Sequence, residues 1–214
     1  MNIADFSLFR GLSETEVQTI IARSSFFEKP IAKDAYVFQQ GETPRYIYLL
    51  LEGGVQVEGL GPDGRRTILN RFTKPGTMFA EVYAYLDHKT YDYSCLATED
   101  TRVLCIPKEL LMRHTDDPLV RKLLFNMLSI LSEKAYGLNQ KLLIVMEQTL
   151  RQKILQYLHR VADEHGTADL SFNREEMAAY LGTTRPSLSR ELRNMEEEGL
   201  IRIDKNRITI CTGP

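Results

Sequence analysis

The stretch Met177-Ala-Ala-Tyr-Leu-Gly-Thr-Thr-Arg-Pro-Ser-Leu-Ser-Arg-Glu-Leu192 decides the fold of the C-terminal part of the chain. Asn173 and Glu176, which lie just before it, form a capping box that begins a helix. That helix is expected to end at Gly182, a residue type that adopts the left-handed conformation found after helix ends. Thr184 then caps a second helix. Two helices joined by so short a turn predict a helix-turn-helix motif.

The sequence on either side of this motif completes a small domain. Leu150 to His165 is amphipathic and predicts a preceding helix that ends at Gly166. The second helix of the motif is expected to run to Glu198. Two short strands then surround a tight turn, in the run Leu200-Ile-Arg-Ile-Asp-Lys-Asn-Arg-Ile-Thr-Ile210, and predict a wing. We assign residues 150–214 to this winged-helix domain.

The second helix of the motif has two chemically different faces. When residues 185–198 are wound at 100° per residue, Leu188, Leu192 and Met195 form one apolar stripe. The opposite face is polar and cationic in its N-terminal half, which suits insertion into a major groove because arginine bonds bidentately to guanine. The predicted DNA contacts are Thr184, Arg185, Ser187, Ser189, Arg190 and Arg193. The alternative is a solvated helix face on a module that binds a protein partner instead of DNA.

A heptad pattern precedes this domain and predicts a long helix over residues 116–149. Apolar residues recur in alternating steps of four and three, which is typical of a coiled-coil seam. The seam consists of Leu124, Leu128, Leu131, Ala135, Leu138, Leu142 and Val145, and Thr149 continues its spacing. It predicts a homodimer, whereas a core helix packed on the chain's own N-terminal domain is the alternative. The flanking residues Phe125, Met127, Ile130 and Leu143 are expected to face that domain.

Residues 1–115 are predicted to form an antiparallel β-barrel or jelly roll. Short stretches rich in β-branched, aromatic and aliphatic residues occur between Tyr36 and Pro107, and glycine-containing turns such as Gly61–Gly64 and Pro75-Gly76 separate them. Residues 12–25 before them read as a helix, which the capping box of Ser13 and Glu16 begins. The fold class is therefore α+β, with a β-domain, a long dimerisation helix and a winged helix-turn-helix.

Composition excludes several classes of protein. The chain has 214 residues, of which 43% are hydrophobic and 26% charged, and no apolar run approaches the ~18 residues of a membrane span. We expect a soluble protein of the cytoplasm with no membrane partner. Residues 150–214 carry ten basic and ten acidic residues, so local placement of charge has to support any nucleic-acid partner. The sequence contains no recognisable catalytic motif, and its four histidines are scattered, so we expect no enzyme.

The whole chain resembles the CRP/FNR superfamily of bacterial transcription regulators. Val37-Phe-Gln-Gln-Gly41 and Leu49-Leu-Leu-Glu-Gly53 are similar to strands of the family's effector barrel, and Asp63-Gly64-Arg65 to one of its turns. The run from Met177 to Leu192 is very similar to its winged-helix signature. The resemblance implies a homodimer that reads a palindromic operator in double-stranded DNA, a cyclic-nucleotide-binding-like barrel and RNA polymerase as a partner. Pro186 replaces a glutamate that helps relatives read DNA, so their half-site is not carried over.

The effector region departs from the family pattern. Cyclic-nucleotide binders carry a Gly-Glu pair and, about ten residues later, an Arg-Ser pair, where this chain has Ala80-Glu81 and Tyr91-Asp92. A cyclic phosphate would lose an arginine and meet a carboxylate there. We therefore expect a different effector, and a small organic or aromatic ligand is the main hypothesis. The candidate residues, which include the dimer-helix position that touches the base in relatives, are Glu81, Tyr83, Tyr91, Asp92, Tyr93, Leu131 and Ser132.

Other sensing schemes remain open, and the cofactor is unknown. Haem would need an axial ligand, for which His88 is the first candidate, in a haem-based gas or redox sensor. A thiol switch would need Cys95 and Cys105 on neighbouring strands of one hairpin. A regulator without an effector is a third possibility. An iron–sulfur cluster is not expected, because the chain has three cysteines and no CxxC pair.

Overall fold

A computed structural model describes residues 2–60, 66–86, 90–112, 116–170 and 173–211. The Gly61–Gly64 turn, the Asp63–Arg65 match and His88, all singled out from the sequence, lie outside these residues. The chain divides into two compact units, unit 1 (residues 1–131) and unit 2 (residues 132–214). No helix in the described ranges is both long and apolar enough to cross a bilayer.

The bounds of the elements follow the chain order. Two 3-10 turns, Ile3–Asp5 and Ser7–Phe9, open the chain. The helices are α1 (Glu14–Arg23), α2 (Val82–Tyr85), α3 (Lys108–Met112), α4 (Pro118–Met146), α5 (Leu150–Val161), α6 (Arg174–Tyr180) and α7 (Arg185–Glu197). The strands are β1 (Phe27–Ile31), β2 (Tyr36–Phe38), β3 (Tyr46–Glu52), β4 (Val55–Leu60), β5 (Arg66–Phe72), β6 (Met78–Phe79), β7 (Ser94–Ala97), β8 (Thr101–Pro107), β9 (Thr167–Asp169), β10 (Ile201–Asp204) and β11 (Arg207–Ile210).

Unit 1 contains two antiparallel four-stranded sheets with the strand orders β1-β8-β3-β6 and β2-β7-β4-β5. Strand β3 explains how the sheets are covered, because successive side chains of a strand point to opposite faces. Ile47, Leu49 and Leu51 belong to a core cluster with α1 and the start of α4, whereas Tyr48 and Leu50 belong to a second cluster with β2 and β7. This arrangement confirms the predicted jelly roll, as two facing sheets and not as a closed barrel.

Helix α4 packs one side against the first of these clusters. Val120, Leu123 and Met127 are almost fully buried there. Asn126 holds the helix to the N-terminal segment, because its Nδ2 donates to the carbonyl oxygens of Leu8 and Arg10 at 2.9 and 3.0 Å.

The expectation that all four residues flanking the seam face the β-domain is wrong for Phe125. Met127 is buried and Ile130 is partly buried against the first cluster, but the Phe125 side chain is 69% exposed. Residues two positions apart on a helix are separated by 200°, because each residue turns the helix by 100°. Phe125 therefore points away from the buried side of the helix, on which Leu123 lies. Leu143, in unit 2, is also exposed.

Helix α4 ends at Met146, and the predicted continuation to Thr149 is therefore wrong. Thr149 is instead the N-cap of α5, because its Oγ1 accepts a hydrogen bond from the Gln152 N–H at 3.2 Å. The Gln152 Oε1 accepts from the Thr149 N–H at 3.1 Å in return. This capping box satisfies N–H groups that a new helix leaves free, so it favours a helix start at this position over further helix.

Unit 2 is a winged helix-turn-helix with one strand more than the sequence indicated. Helix α5 ends at Val161 and not at His165, because Asp163 Oδ1 accepts from the N–H groups of His165 and Thr167 at 2.9 Å and forms a turn. Strand β9 follows and pairs with β11, which gives the sheet order β10-β11-β9. The core of unit 2 includes Ile144, Ile154, Leu158, Met177, Leu181, Leu188, Leu192 and Met195.

An ion network joins the start of α5 to α7. Arg151 Nε lies 2.7 Å from Glu191 Oε1, and its two terminal nitrogens donate to the Glu198 carboxylate at 2.6 and 2.8 Å. Such a bidentate pair fixes geometry as well as charge. The guanidinium of Arg151 also holds the pKa of Glu198 below its ordinary value through these hydrogen bonds.

We predict that Arg151→Met lowers the free energy of unfolding at pH 7. The difference in this free energy between wild type and variant should become smaller in acid. The pKa of Glu198 is lowered in the folded chain, so its contribution is present above the unfolded value of about 4.3 and disappears as the pH falls through the lowered value. Urea unfolding of wild type and variant between pH 7 and pH 3, followed by circular dichroism, measures this. Arg202→Met on the exposed face of the wing is the matched control. A difference between wild type and Arg151→Met that does not change with pH would contradict the role of Glu198.

Candidate nucleic-acid interface and effector region

Three buried side chains set the rotation of α7. Leu188 and Met195 are fully buried and Leu192 is almost so, all in the core of unit 2. Because these residues lie on one stripe of the helix, the opposite side faces outward. The predicted orientation of the helix is therefore the one that unit 2 adopts.

The outward side of α7 is polar and cationic in its N-terminal half. All the residues that we predicted to contact DNA are exposed, namely Thr184, Arg185, Ser187, Ser189, Arg190 and Arg193. Glu197 and Glu198 are exposed at the other end of the helix. A rigid helix thus presents guanidinium groups and short hydroxyls at its N-terminal end and carboxylates at its C-terminal end. The groups at the N-terminal end are suited to contact base edges and phosphates.

The turn between α6 and α7 is held by local hydrogen bonds. Gly182 has φ +67°, which an L side chain rarely adopts, and the Thr183 N–H donates to the Ala178 carbonyl oxygen at 2.9 Å. Thr184 Oγ1 accepts from the Ser187 N–H at 3.4 Å and donates to Ser187 Oγ at 2.9 Å. Thr184 and Ser187 therefore hold each other in place at the start of α7, and the Ser187 hydroxyl keeps its own proton available to donate.

Arg174 is a candidate contact that the sequence reasoning missed. A cavity of about 340 Å³ lies between the starts of α6 and α7 and the wing turn, and its lining includes Arg174, Arg185, Glu175 and Asn206. Nη1 of Arg174 is buried and has no hydrogen-bond partner in the described part of the chain. Burial also lowers the pKa of this guanidinium, because desolvation disfavours its charged form. An anion in the cavity would satisfy the buried donor. Arg174 is the first residue of α6, directly after the Asn173 cap. Its position beside a cap that the sequence does reveal is the signal from which it could have been found.

The structure brings part of the candidate effector region together. Tyr83 Oη donates to Asp92 Oδ2 at 3.1 Å, and the Asp92 N–H donates to Tyr83 Oη at 3.2 Å. The ring of Tyr91 stacks on Phe38 at 4.0 Å between centroids and meets the edge of Tyr83 at 4.9 Å. Burial raises the pKa of Tyr83, so its hydroxyl stays protonated and donates to the carboxylate of Asp92.

The other candidate effector residues lie in different surroundings. Glu81 is buried at the start of α2, and Tyr93 is largely exposed. Leu131 packs partly against the first core cluster of unit 1, whereas Tyr83 and Tyr91 belong to the second. Ser132 begins unit 2 and is exposed. Hydrogen bonds and ring contacts thus join Tyr83, Tyr91 and Asp92.

Comparison with known protein families decides which family this architecture represents. Residues 28–116 match the model of the cyclic nucleotide-binding domain, and residues 152–212 match the model of the Crp-like helix-turn-helix domain. The chain belongs to the CRP/FNR superfamily. It is a DNA-binding transcription regulator of that type, and its homologues are transcriptional regulators and not enzymes.

Members of the superfamily resemble the chain along most of its length. The "Cyclic AMP receptor protein" of Thermus thermophilus is 26% identical over 95% of this chain and 91% of its own length. The "Transcriptional regulator LdrP" of the same species is 28% identical over 84% and 90%. The match with a solved structure of the c-di-GMP responsive global regulator CLP of Xanthomonas campestris covers 94% of this chain and all of that one, with a TM-score of 0.61 at 16% identity. The last similarity concerns the fold alone.

The two cysteines proposed for a thiol switch of this CRP/FNR protein do not lie on one hairpin. Cys95 is on β7 and Cys105 on β8, which are consecutive in the chain but belong to different sheets. Both thiols are buried. Burial raises the pKa of Cys95 to about 12 and that of Cys105 to about 11. Because the thiolate is the reactive form, both groups are in surroundings that suppress thiol chemistry.

We predict that native protein at pH 8 gives one fast equivalent with a thiol reagent such as Ellman's reagent. The thiolate fractions at the buried sites are about one in ten thousand for Cys95 and one in a thousand for Cys105, given their raised pKa values. Cys211, which is partly exposed, should supply the fast equivalent. Cys211→Ser should remove it, and urea should release all three thiols of the wild type. A Cys95–Cys105 disulfide formed in the native protein by a mild oxidant would revive the switch.

Proposed function

We propose that this regulator acts in the bacterial cytoplasm as a homodimer that reads a palindromic operator through α7. Its activity would be controlled by a small organic or aromatic effector other than a cyclic nucleotide, bound in the N-terminal domain. In this proposal residues 1–115 sense, residues 116–149 dimerise and residues 150–214 bind DNA. RNA polymerase would be a partner, as the family resemblance implies.

The observation that carries the DNA-binding part is the fixed orientation of α7. Leu188, Leu192 and Met195 are buried, so the residues opposite them present their side chains outward from a rigid helix. Arg190 and Arg193 lie opposite the buried stripe and Arg185 opens the helix, and all three are exposed. Arginine is the commonest reader of guanine. Arg174, whose buried Nη1 has no hydrogen-bond partner among the described residues, adds a donor suited to a phosphate beside Arg185.

The exclusion of a cyclic nucleotide rests on the surroundings of Asp92. Relatives that bind cyclic nucleotides have an Arg-Ser pair at the positions of Tyr91 and Asp92, as the family pattern implies. Here Tyr91 is packed in an aromatic stack, and the Asp92 carboxylate accepts the Tyr83 hydroxyl. A cyclic phosphate would therefore approach an anion with no guanidinium in the matching position, which is unfavourable in a partly buried site. Haem held by His88 remains a prediction that the described residues leave untested.

The dimer proposal is supported by the uncovered side of α4. Leu128, Leu138 and Leu142 in the predicted seam are 61%, 68% and 55% exposed. Phe125 and Met146 on the same helix are exposed as well. Exposed apolar surface of this extent along one helix is typical of an interface between proteins, and a heptad spacing suits a second copy of the same helix.

We predict that Arg190→Ala weakens discrimination between operator sequences by about 1–3 kcal/mol, or about 5- to 150-fold, at one base pair of each half-site. Arg174→Gln should instead weaken binding to all duplexes evenly and reduce the slope of log K against log salt by about one. Operators are first selected from random duplexes, and binding to them is then measured by fluorescence anisotropy at several salt concentrations. These measurements give both the sequence discrimination and the salt slope. The control is Arg121→Ala on α4, which removes the same charge from an exposed position outside the proposed DNA contacts.

The outcome of that selection also separates the two classes of function. Enrichment of a palindrome whose binding depends on Arg190 is the result expected of a DNA reader. A wild-type chain that binds all duplexes alike would contradict sequence-specific reading and favour the protein-interaction module. If Arg190→Ala and Arg121→Ala bind identically to the selected operator, the proposed orientation of α7 on DNA is wrong.

We predict that Leu138→Glu converts the dimer into monomers, because a carboxylate placed in an apolar interface without a partner costs about 3–5 kcal/mol. Asn139→Glu adds the same charge to a neighbouring exposed position and should remain dimeric. Sedimentation velocity at micromolar concentration measures the oligomeric state, and circular dichroism checks that helix content is unchanged. A Leu138→Glu, Leu128→Glu double variant that still sediments as a dimer would place the interface elsewhere.

A further inference from the structure

A cavity of about 550 Å³ opens in unit 1 where β1, β3 and the connecting segment 41–45 meet. We name it the β1–β3 cavity. Its size lies in the range of small-molecule sites, which are about 300–1,000 Å³. Among its lining residues only Tyr91 belongs to the candidate effector region described above. The cavity therefore shares Tyr91 with the residues that correspond to the cyclic-nucleotide cassette, while its other lining residues lie outside that cassette.

Two aromatic groups form walls of the β1–β3 cavity. Tyr48 and Tyr91 are buried, and Tyr91 Oη donates to the Tyr46 carbonyl oxygen at 3.5 Å. Both rings also stack on Phe38, at 5.6 and 4.0 Å between centroids. Phe27, which also lines the cavity, meets Tyr46 edge to face at 5.3 Å and is 42% exposed. These rings give the cavity aromatic walls.

The charged lining is cationic in its balance. Lys29, Arg45 and Glu42 line the cavity and are all exposed. Glu42 Oε2 accepts a hydrogen bond from the Gln39 N–H at 3.1 Å, so its carboxylate is engaged with its own loop. Within the described ranges no carboxylate lies at ion-pair distance from Lys29 or Arg45. The cavity thus offers one guanidinium and one ammonium group, neither of which forms an ion pair with a carboxylate among the described residues.

The segment that carries Glu42 and Arg45 is anchored by its backbone. The Gly41 N–H donates to the Tyr91 carbonyl oxygen and the Tyr91 N–H donates to the Glu42 carbonyl oxygen, both at 2.9 Å. The Lys108 N–H donates to the Arg45 carbonyl oxygen at 3.1 Å. Because these bonds fix the rim, a ligand would meet preformed walls and lose less conformational entropy on binding.

We propose that the β1–β3 cavity binds a small carboxylic acid with an aromatic body, whose carboxylate pairs with Arg45 and Lys29 and whose ring lies against Tyr46 and Tyr48. A planar carboxylate matches the fork of a guanidinium. With Glu42 included, the three charged lining residues sum to one positive charge, which one carboxylate balances. A phosphate monoester would bring about −1.5 to −2 charges near the Glu42 carboxylate and is the poorer match.

The binding part of this proposal stands by itself, whereas regulation by the acid rests on the proposed function. If the acid favours one dimer arrangement over another, it shifts DNA affinity by the ratio of its affinities for the two arrangements. A ligand that binds both arrangements equally would occupy the cavity without any effect on the operator.

Indole-3-acetate is a suitable probe, because the chain contains no tryptophan and the indole fluorescence has no protein background. Titration of the full chain with indole-3-acetate, with excitation at the tyrosine band, should give saturable energy transfer to the bound indole. Indole-3-acetamide has the same ring without the charge and should bind about tenfold more weakly or worse, because a charge-assisted bidentate pair is lost. Indolyl phosphate tests the alternative anion and should also bind more weakly than the acid.

Variants assign the site to named side chains. Arg45→Gln and Lys29→Gln should each weaken binding of indole-3-acetate by about tenfold or more, whereas Glu42→Gln should strengthen it by removing a negative charge. Lys33→Gln removes the same charge from an exposed residue outside the lining and should change nothing. All four substitutions are at exposed positions, so folding is expected to be unaffected. Asp92→Asn should change the affinity for indole-3-acetate only if the acid binds in the candidate effector region instead of the β1–β3 cavity.

Each outcome bears on a different part of the inference. Absence of saturable transfer up to millimolar acid, or equal binding of acid and amide, overturns the carboxylate site while operator binding that depends on Arg190 leaves the proposed function standing. A change in the affinity for indole-3-acetate in Asp92→Asn, with no change in Arg45→Gln, would place the ligand in the candidate effector region and also overturn the assignment. Binding that depends on Arg45 but leaves operator affinity unchanged supports the site and overturns its regulatory role.

Discussion

The burial of Leu188, Leu192 and Met195 is the constraint on which the DNA-binding unit depends. Three large side chains on one stripe allow a single rotation of α7, because any other rotation would expose them and bury Arg190 or Ser189 without partners. The core of unit 2 therefore determines which residues reach outward. The Arg151 network and the Thr184 cap secure the two ends of a helix whose rotation is already fixed.

Helix α4 shows how one segment can serve two different apolar neighbours. Leu123 and Met127 complete the core of unit 1, while Leu128, Leu138 and Leu142 leave apolar surface uncovered. A heptad pattern read from the sequence does not reveal this difference, because both sides are apolar. The two interpretations of the long helix, a core helix and a dimer helix, are therefore compatible: burial supports the first for one side, and exposure supports the second for the other.

The features that could be predicted from the sequence are the local ones. Caps such as Asn173 with Glu176, and a left-handed residue such as Gly182, involve neighbours a few positions apart, so their chemistry can be read directly. Features made by distant segments could not. Strand β9 forms by pairing with the edge of β11, and Cys95 and Cys105 lie apart because their strands belong to different sheets. The β1–β3 cavity forms only where β1 and segment 41–45 lie side by side. Arg174 was missed for the same reason, because the cavity that it lines forms only where α6, α7 and the wing turn meet.

The charge order along α7 is the reverse of the one that stabilises an isolated helix. The aligned peptide dipoles place partial positive charge at the N-terminus of a helix and partial negative charge at its C-terminus. Arg185 and Arg190 add cations at the first end, and Glu196 to Glu198 add anions at the second. Arg151 relieves the second end by pairing with Glu198. Among the residues that the structure describes, no ion pair to Arg185 or Arg190 relieves the first end. The polyanionic backbone of DNA would relieve it, so the macrodipole favours this helix on a duplex over the same helix in water.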